Sequence, residues 1–211
     1  MAKQRQSDTA ALDAIAASVR TQDEGSPGAP ARALPPVHLW DPPYCGDLDI
    51  RIATDGTWFY LGSPIGRMPL VKLFASVLKR EGEKHFLVTP VEKIGIKVED
   101  APFLAVEMRR EPSADGPRLH FRTNVDDWVV CDTEHALRFE PEDGSGGLKP
   151  YLHVRRDLWA KVTRALLFDL VEIAEEREID GRLMLGVASA GAFFPMSPVD
   201  ALPVDALEDR S

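Results

Sequence analysis

The residues whose types and spacing best suit binding chemistry lie in a short loop, residues 62–67 with the sequence GSPIGR. Two glycines let the backbone approach a ligand, and helical spacing begins at Pro69, so the N–H groups and positive dipole end of a helix follow the loop. Arg67 and Lys72 add cations that reach a phosphate or carboxylate. The GK[ST] ending of a nucleotide-binding P-loop is missing, and Pro69 removes one donor. We predict an anion-binding loop, with a plain connecting loop as the alternative.

Polar side chains upstream of this loop extend the predicted binding surface. Asp47, Asp49 and Arg51 alternate along one face of a predicted strand. Three polar residues on one face are typical of a solvated surface, and a cleft wall has the same pattern. A tryptophan such as Trp58 more often fills a core than stacks on a base. These four residues join the loop residues as candidates for ligand binding.

Glu92 and Lys93 are two further candidates, because they lie where the two predicted halves of the chain meet. Pockets tend to form at such junctions. The pair offers one acceptor and one cation to a ligand there, and the alternative is a surface ion pair.

No combination of residues predicts a catalytic or metal site. Cys45 has Asp47 and Asp49 close by, and neighbouring carboxylates disfavour the thiolate that a nucleophile needs. His38, Cys45 and Asp47 match no zinc-binding spacing and lack a fourth ligand. Ser189 lacks nucleophile-elbow spacing, because its upstream glycine lies one position too far away. We predict no catalytic residue, no metal and no cofactor, and whether the protein is an enzyme stays open.

Composition limits the classes of partner. The chain has 211 residues, of which 44% are hydrophobic and 28% charged, as in an ordinary globular protein. A formal net charge of −9 disfavours a broad nucleic-acid interface, which needs clustered lysine and arginine. The N-terminus lacks the apolar region of a signal peptide, no run of about 18 apolar residues occurs, and two cysteines cannot build a disulfide framework. We therefore expect a cytoplasmic protein without nucleic-acid binding or membrane insertion.

A hairpin and a helix are predicted to position the loop. Apolar and polar residues alternate in residues 48–52 and 58–61, on either side of a glycine-bearing turn. Apolar residues at helical spacing then run from Pro69 to a predicted end at Gly82. A short strand over residues 85–89 completes this half of the chain.

The second half reads as a series of strands followed by a long helix. Turn signals separate alternating segments, which predict an antiparallel meander with strands at residues 94–98, 103–109, 118–123, 127–132, 137–140 and 151–154. A wide apolar surface predicts one helix over residues 157–178, followed by a strand over residues 182–189. The predicted fold class is therefore α+β.

The order of elements indicates a duplication and a domain organisation. Hairpin, helix and strand recur in residues 50–89 and 119–189, although this order is common in unrelated α+β proteins. The predicted parts are an N-terminal helix with a flexible linker, an α+β half, a C-terminal half and an acidic tail, at residues 1–36, 37–90, 91–198 and 199–211.

Two runs of sequence carry a family resemblance. PPVHLWDPPYCGDLDIRIATDGTWFYLGSPIGRMPLVKLFASVLKR, followed by FLVTPVEKIGIKVEDAPFLAVEM, resembles the bacterial family of domains of unknown function numbered 1285 (DUF1285), and the resemblance extends over residues 35–196. It implies a duplicated α+β core with a pleckstrin-homology-like C-terminal half. It also implies a small, nucleotide-like ligand at the interface between the halves and a role in signal transduction. No catalytic motif comes with the family.

These observations predict a ligand-binding or signalling module for a small anionic or nucleotide-like ligand. An enzyme acting on a nucleotide-like or phosphorylated small molecule is the second hypothesis. A protein-protein interaction module that holds a protein partner is the third. The lack of a nucleophile–base or metal constellation favours the first hypothesis over the second.

Overall fold

The computed structural model describes Ala17 and residues 34–142 and 147–201. The chain divides into two compact units, Met1–Glu99 and Asp100–Ser211. Apart from Ala17, the predicted N-terminal helix lies outside the described residues, as do most of the predicted linker and residues 202–211 of the acidic tail. No α-helix in the described part is both long and apolar enough to cross a membrane.

The N-terminal unit is built on one six-stranded sheet. Its described residues, 34–99, form a short 3₁₀ turn, Val37–Leu39, and then Tyr44–Ile52 (β1), Trp58–Tyr60 (β2), Ser63–Pro64 (β3), Met68–Ser76 (α1), Leu78–Glu81 (β4), Lys84–Val88 (β5) and Lys93–Val98 (β6). The strand order is β3-β2-β1-β6-β5-β4. The central strands β1 and β6 are parallel, and the other neighbours are antiparallel.

The core of this unit includes one face of the sheet and α1. Ile52 pairs with Trp58 across the β1–β2 hairpin, so both side chains leave the same face. Trp58 is 1% exposed, and its ring centroid lies 6.3 Å from that of the fully buried Phe74 in α1. Because side chains alternate along β1, its acidic residues point away from this core.

The predicted hairpin is confirmed, but the helix ends earlier than predicted. α1 stops at Ser76, and the next residues form strand β4 rather than the last turns of a helix that reaches Gly82. Leu78 pairs with Leu87, and the whole of β4 finds hydrogen-bond partners on β5. Gly82 instead takes a positive φ of 60° in the β4–β5 turn, a conformation that glycine adopts without strain.

The C-terminal unit contains two sheets and one α-helix in its described residues, 100–142 and 147–201. The elements are Phe103–Glu111 (β7), Arg118–Thr123 (β8), Trp128–Val130 (β9), Leu137–Pro141 (β10), Leu148–Arg155 (β11), Leu158–Val162 (β12), Arg164–Glu172 (α2), Glu175–Ile179 (β13), Arg182–Ser189 (β14), Ala192–Pro198 (β15) and a 3₁₀ turn, Val199–Ala201. The six-stranded sheet has the order β10-β11-β12-β7-β8-β9, with β7 and β12 parallel. The other sheet is β13-β14-β15, and α2 contacts β7 and β14.

The predicted α+β class with a long helix is wrong, because the described chain is mostly β-sheet. Residues 157–178 contain strand β12, a helix of nine residues and most of strand β13. Every second residue of β12 is buried, and the strand pairs with β11 on one side and β7 on the other. Hydrogen bonds to the preceding strand β11 and to the distant strand β7 hold this segment extended, and apolar spacing along one segment does not reveal such partners.

The predicted repeat of hairpin, helix and strand is also corrected, because the helix enters the two units at different places in the strand order. α1 lies between the third and fourth strands of its unit, whereas α2 follows the sixth strand of its own. The prediction of a pleckstrin-homology-like meander closed by a long helix is also corrected. The larger sheet of the C-terminal unit has a parallel central pair, and a three-stranded sheet follows α2.

One buried serine fastens the three-stranded sheet to the larger sheet. Ser189, at the end of β14, is fully buried and accepts a hydrogen bond from the Leu119 N–H at 2.9 Å. Its hydroxyl donates to the Cys131 carbonyl at 2.6 Å. Leu119 and Cys131 are neighbours at the open end of the β8–β9 hairpin, where the Cys131 N–H donates to the Leu119 carbonyl at 2.8 Å. The position predicted to lack nucleophile geometry therefore has a structural role.

Candidate functional site

Arg67 and Lys72 lie where the sequence predicted them, at the start and on the exposed side of α1. Arg67 is the N-cap residue, with extended backbone angles of φ −88° and ψ 93°, and its carbonyl accepts hydrogen bonds from the Leu70 and Val71 N–H groups. Both cationic side chains belong to exposed residues. The loop before them is partly strand, because Ser63–Pro64 forms β3. An anion-binding role for this loop stays a prediction.

Asp47 and Lys93 both lie beside one aromatic residue on the outer face of the N-terminal sheet. Tyr44 pairs with Lys93 across β1 and β6, and its hydroxyl donates to Asp47 Oδ1 at 2.7 Å. A Cβ at Gly95 would collide with the same carboxylate, so only glycine leaves it this space. Lys93 Nζ lies 3.1 Å from Glu81 Oε2. Asp47 and Lys93 therefore each already have a partner within the N-terminal unit, Tyr44 for the first and Glu81 for the second.

The other candidates of this unit do not form one site with them. Arg51 Nη1 lies 2.7 Å from Glu99 Oε1, and its guanidinium stacks over the Phe59 ring at 4.2 Å. Asp49 is exposed, and Glu92 is half-buried with its N–H bonded to Thr89 Oγ1 at 3.1 Å. The eighth candidate, Trp58, lies in the core, on the sheet face opposite Arg51.

The C-terminal unit contains a pocket that the sequence did not predict. It has a volume of about 340 Å³ and lies where β11, β12 and the first turns of α2 meet. Three cationic residues, one acidic residue and five apolar residues line it, together with Gly147. They are Lys149, Lys161, Arg164, Glu142, Leu148, Pro150, Val162, Leu167 and Phe168. We call this the cationic pocket.

The three cations of the cationic pocket differ in their surroundings. Lys161 Nζ is bound to Asp100 Oδ2 at 2.6 Å, and the other oxygen of Asp100 accepts a hydrogen bond from Tyr151 at 2.8 Å. Lys149 is half-buried on β11. Arg164 is exposed at the first position of α2, where the N–H groups of the first turn and the helix dipole also favour an anion.

Sequence reasoning missed this pocket because it placed Lys161 and Arg164 on one long helix. The signal that could have separated them is the change of period at Thr163, from alternation in Leu158–Val162 to helical spacing in Arg164–Glu172. Threonine is a preferred residue before a helix. Lys149 was placed in a loop, whereas the structure has it within strand β11.

The described residues offer no reactive thiol in the core and no metal-binding cluster. Burial raises the pKa of Cys131 to about 12, so this side chain stays a neutral thiol at physiological pH. Cys45 is exposed. In the part of the chain that the structure describes, no three His, Cys, Asp or Glu side chains are grouped to hold a metal ion.

Two models of known protein families match nearly all of the described chain. Residues 35–101 match the model "Domain of unknown function (DUF1285), N-terminal domain", and residues 102–196 match "Protein of unknown function (DUF1285), C-terminal domain". The chain belongs to the DUF1285 family. The boundary between the two family models lies within two residues of the division between the two compact units.

Solved structures of the same family are similar to this chain. A DUF1285 family protein from Silicibacter pomeroyi DSS-3 is 41% identical, with a TM-score of 0.75 over 88% of this chain and 96% of that one. A second, from Shewanella baltica OS155, is 31% identical, with a TM-score of 0.46 over 58% of this chain and 89% of that one. Among curated proteins, none matches the chain.

Proposed function

We propose that this DUF1285 protein is a binding module for a small anionic ligand and that the cationic pocket holds it. The observation that carries the proposal is the lining of the pocket, which combines Lys149, Lys161 and Arg164 with five apolar residues around a space of about 340 Å³. A volume of this size is typical of small-molecule sites, which combine an apolar lining with a few convergent polar groups.

The three cations have different parts in the proposed binding. In this proposal Lys149, on β11, and Arg164, at the start of α2, supply the contacts to the anion. Lys161 is already paired with Asp100, and because this carboxylate offsets its charge, Lys161 attracts the anion more weakly than the other two cations do. Charge-assisted hydrogen bonds from two cations are stronger than neutral ones, which compensates for the acidic charge of the whole chain.

A titration of the full chain tests the proposal. With uniform ¹⁵N labelling, amide shifts are followed while inorganic phosphate, ATP or octanoate is added. At least one of these anions should give saturable shifts in residues 147–150 and 161–168. Combining Lys149→Ala with Arg164→Ala should weaken that binding by at least about tenfold, the loss expected when about 1.4 kcal/mol of binding free energy disappears.

Arg118→Ala is the matched control, because it removes one exposed arginine of the same unit outside the pocket. It should leave the affinity unchanged. Arg67→Ala tests the loop predicted from the sequence. If this variant abolishes binding and the double variant does not, the anion binds at the start of α1 and the proposal for the cationic pocket is wrong. Absence of saturable binding by every anion also contradicts it.

A further inference from the structure

We infer that the ligand of the cationic pocket is a singly charged amphiphile, a carboxylate with an apolar tail, rather than a nucleotide. The inference rests on the proposed function and adds the chemical class of the ligand. Charge balance, lining and size each support it.

The charge balance of the pocket suits one negative charge. Among the described residues in and beside it, Glu142 and Asp100 offset two of the three cations. Glu140, opposite Lys149 on β10, is itself paired with Arg138, so one net positive charge remains. A polyphosphate carries several negative charges and would meet both carboxylates at close range, where like charges repel strongly. A ligand with a single carboxylate requires only two cationic partners, Lys149 and Arg164, for its charge to be bound.

The lining of the pocket suits an apolar tail. Of its apolar lining residues, Pro150 and Val162 are buried, and Leu148 and Leu167 are half-buried. Phe168 is 57% exposed, although its ring is large and apolar. A tail lying on this ring would remove apolar surface from water, which stabilises the complex.

A cation and an aromatic ring stand side by side on α2. Arg164 and Phe168 are four residues apart, so they share one face of the helix, and the guanidinium carbon lies 5.7 Å from the ring centroid. A carboxylate on Arg164 therefore directs an attached tail along Phe168. The volume of about 340 Å³ is at the small end of small-molecule sites, which favours a short tail over a nucleotide.

The test compares carboxylates of increasing length with anions that lack a tail. Butanoate, hexanoate and octanoate are titrated into the full ¹⁵N-labelled chain, with ATP and inorganic phosphate in parallel. Octanoate should bind most tightly, and each added methylene should raise the affinity by about two- to fourfold, the gain expected for a tail that is partly or fully buried. 1-Octanol, which lacks the charge, should bind at least about tenfold more weakly than octanoate.

Two variants separate the tail from the charge. Phe168→Ala should reduce the dependence of affinity on chain length, and because Phe168 is exposed, the fold should not change. Arg164→Ala should weaken all three carboxylates by a similar factor and leave the chain-length dependence intact. Arg118→Ala should change neither quantity.

The results distinguish this inference from the proposed function. If ATP or phosphate shifts residues 147–150 and 161–168 at lower concentration than octanoate, the pocket binds anions but the amphiphile inference is wrong. The same conclusion follows if affinity does not depend on chain length. If no anion shifts these residues, the proposed function itself is wrong.

Discussion

The two units of this chain build the same six-stranded sheet and complete their cores in different ways. The strand order of the N-terminal sheet is β3-β2-β1-β6-β5-β4, and that of the larger C-terminal sheet, read from β9, is β9-β8-β7-β12-β11-β10. Adding six to each strand number of the first order gives the second. In both, the first and sixth strands form the central parallel pair. The first strand has nine residues in each unit.

The difference lies in where the helix enters. In the N-terminal unit, α1 is inserted between the third and fourth strands, whereas α2 and a three-stranded sheet follow the sixth strand of the C-terminal unit. In that unit β14 contacts β8, and β15 contacts β10. One strand order thus accepts either an internal insertion or a C-terminal extension, because both supply the apolar surface that a sheet face needs.

The largest expected effect tests whether the two helices have equivalent roles. Phe74→Ala in α1 should lower the free energy of unfolding by about 3–5 kcal/mol, because Phe74 is fully buried against Trp58. Leu170→Ala in α2 should cost about 2–5 kcal/mol, since Leu170 is also fully buried. Denaturant unfolding, combined with amide exchange of β1 and β7, measures both losses.

Exposed residues on the same helices provide the controls for these two substitutions. Lys72→Ala and Asp169→Ala should each change the unfolding free energy by less than about 0.5 kcal/mol. A loss below about 1 kcal/mol for either buried residue would show that its helix is not an essential part of the core. The two helices would then not have equivalent roles in their units.

A smaller effect tests the attachment of the three-stranded sheet, which has no counterpart in the described N-terminal unit. Ser189→Ala should cost about 1–3 kcal/mol, because it leaves the buried Leu119 N–H without its acceptor. Ser197→Ala makes the same chemical change on β15, but the buried Ser197 hydroxyl has no hydrogen-bond partner among the residues that the structure describes. It should be neutral or stabilising. Equal losses at both serines, measured by thermal unfolding, would contradict the anchoring role of Ser189.

The smallest effect concerns a hairpin turn that occurs in both units. Leu61 and Asp180 each precede a glycine in a two-residue turn and have positive φ angles of 48° and 50°. Leucine is disfavoured in this conformation, and Leu61 is 46% exposed, so Leu61→Asn should raise stability by about 1 kcal/mol or less. Asp180→Leu should lower stability by a similar amount. A destabilising Leu61→Asn, seen as a lower melting temperature, would mean that the Leu61 side chain has a packing role that outweighs its backbone strain.

Much of the local structure follows from the sequence. The strands at residues 118–123 and 182–189 were predicted with the bounds that the structure has, because alternating residues that follow a glycine-bearing turn specify them locally. The start of α1 near Pro69 was also predicted, since proline suits the first turn of a helix. The family was identified from two runs of sequence, and the family models confirm it.

The candidate site could not be predicted, because its parts are distant in the sequence. Lys161 is bound to Asp100, 61 residues away, and lies on a strand that forms only when β7 and β11 are beside it. The eight residues proposed from the sequence all belong to the N-terminal unit, where Arg51 and Lys93 are paired with Glu99 and Glu81. Side-chain pairing of this kind depends on strand register, which no single segment specifies.

The sequence by itself determined where the chain turns, which segments alternate and the acidic net charge, because these properties depend on neighbouring residues. Only the tertiary structure decided that residues 158–162 are a strand, that α2 is short and that Ser189 anchors a sheet to Leu119, 70 residues away. In each case hydrogen bonds to remote segments outweigh a local helical preference or give a residue a role that its neighbours do not indicate. The free energy of those bonds becomes available only once the sheet has assembled.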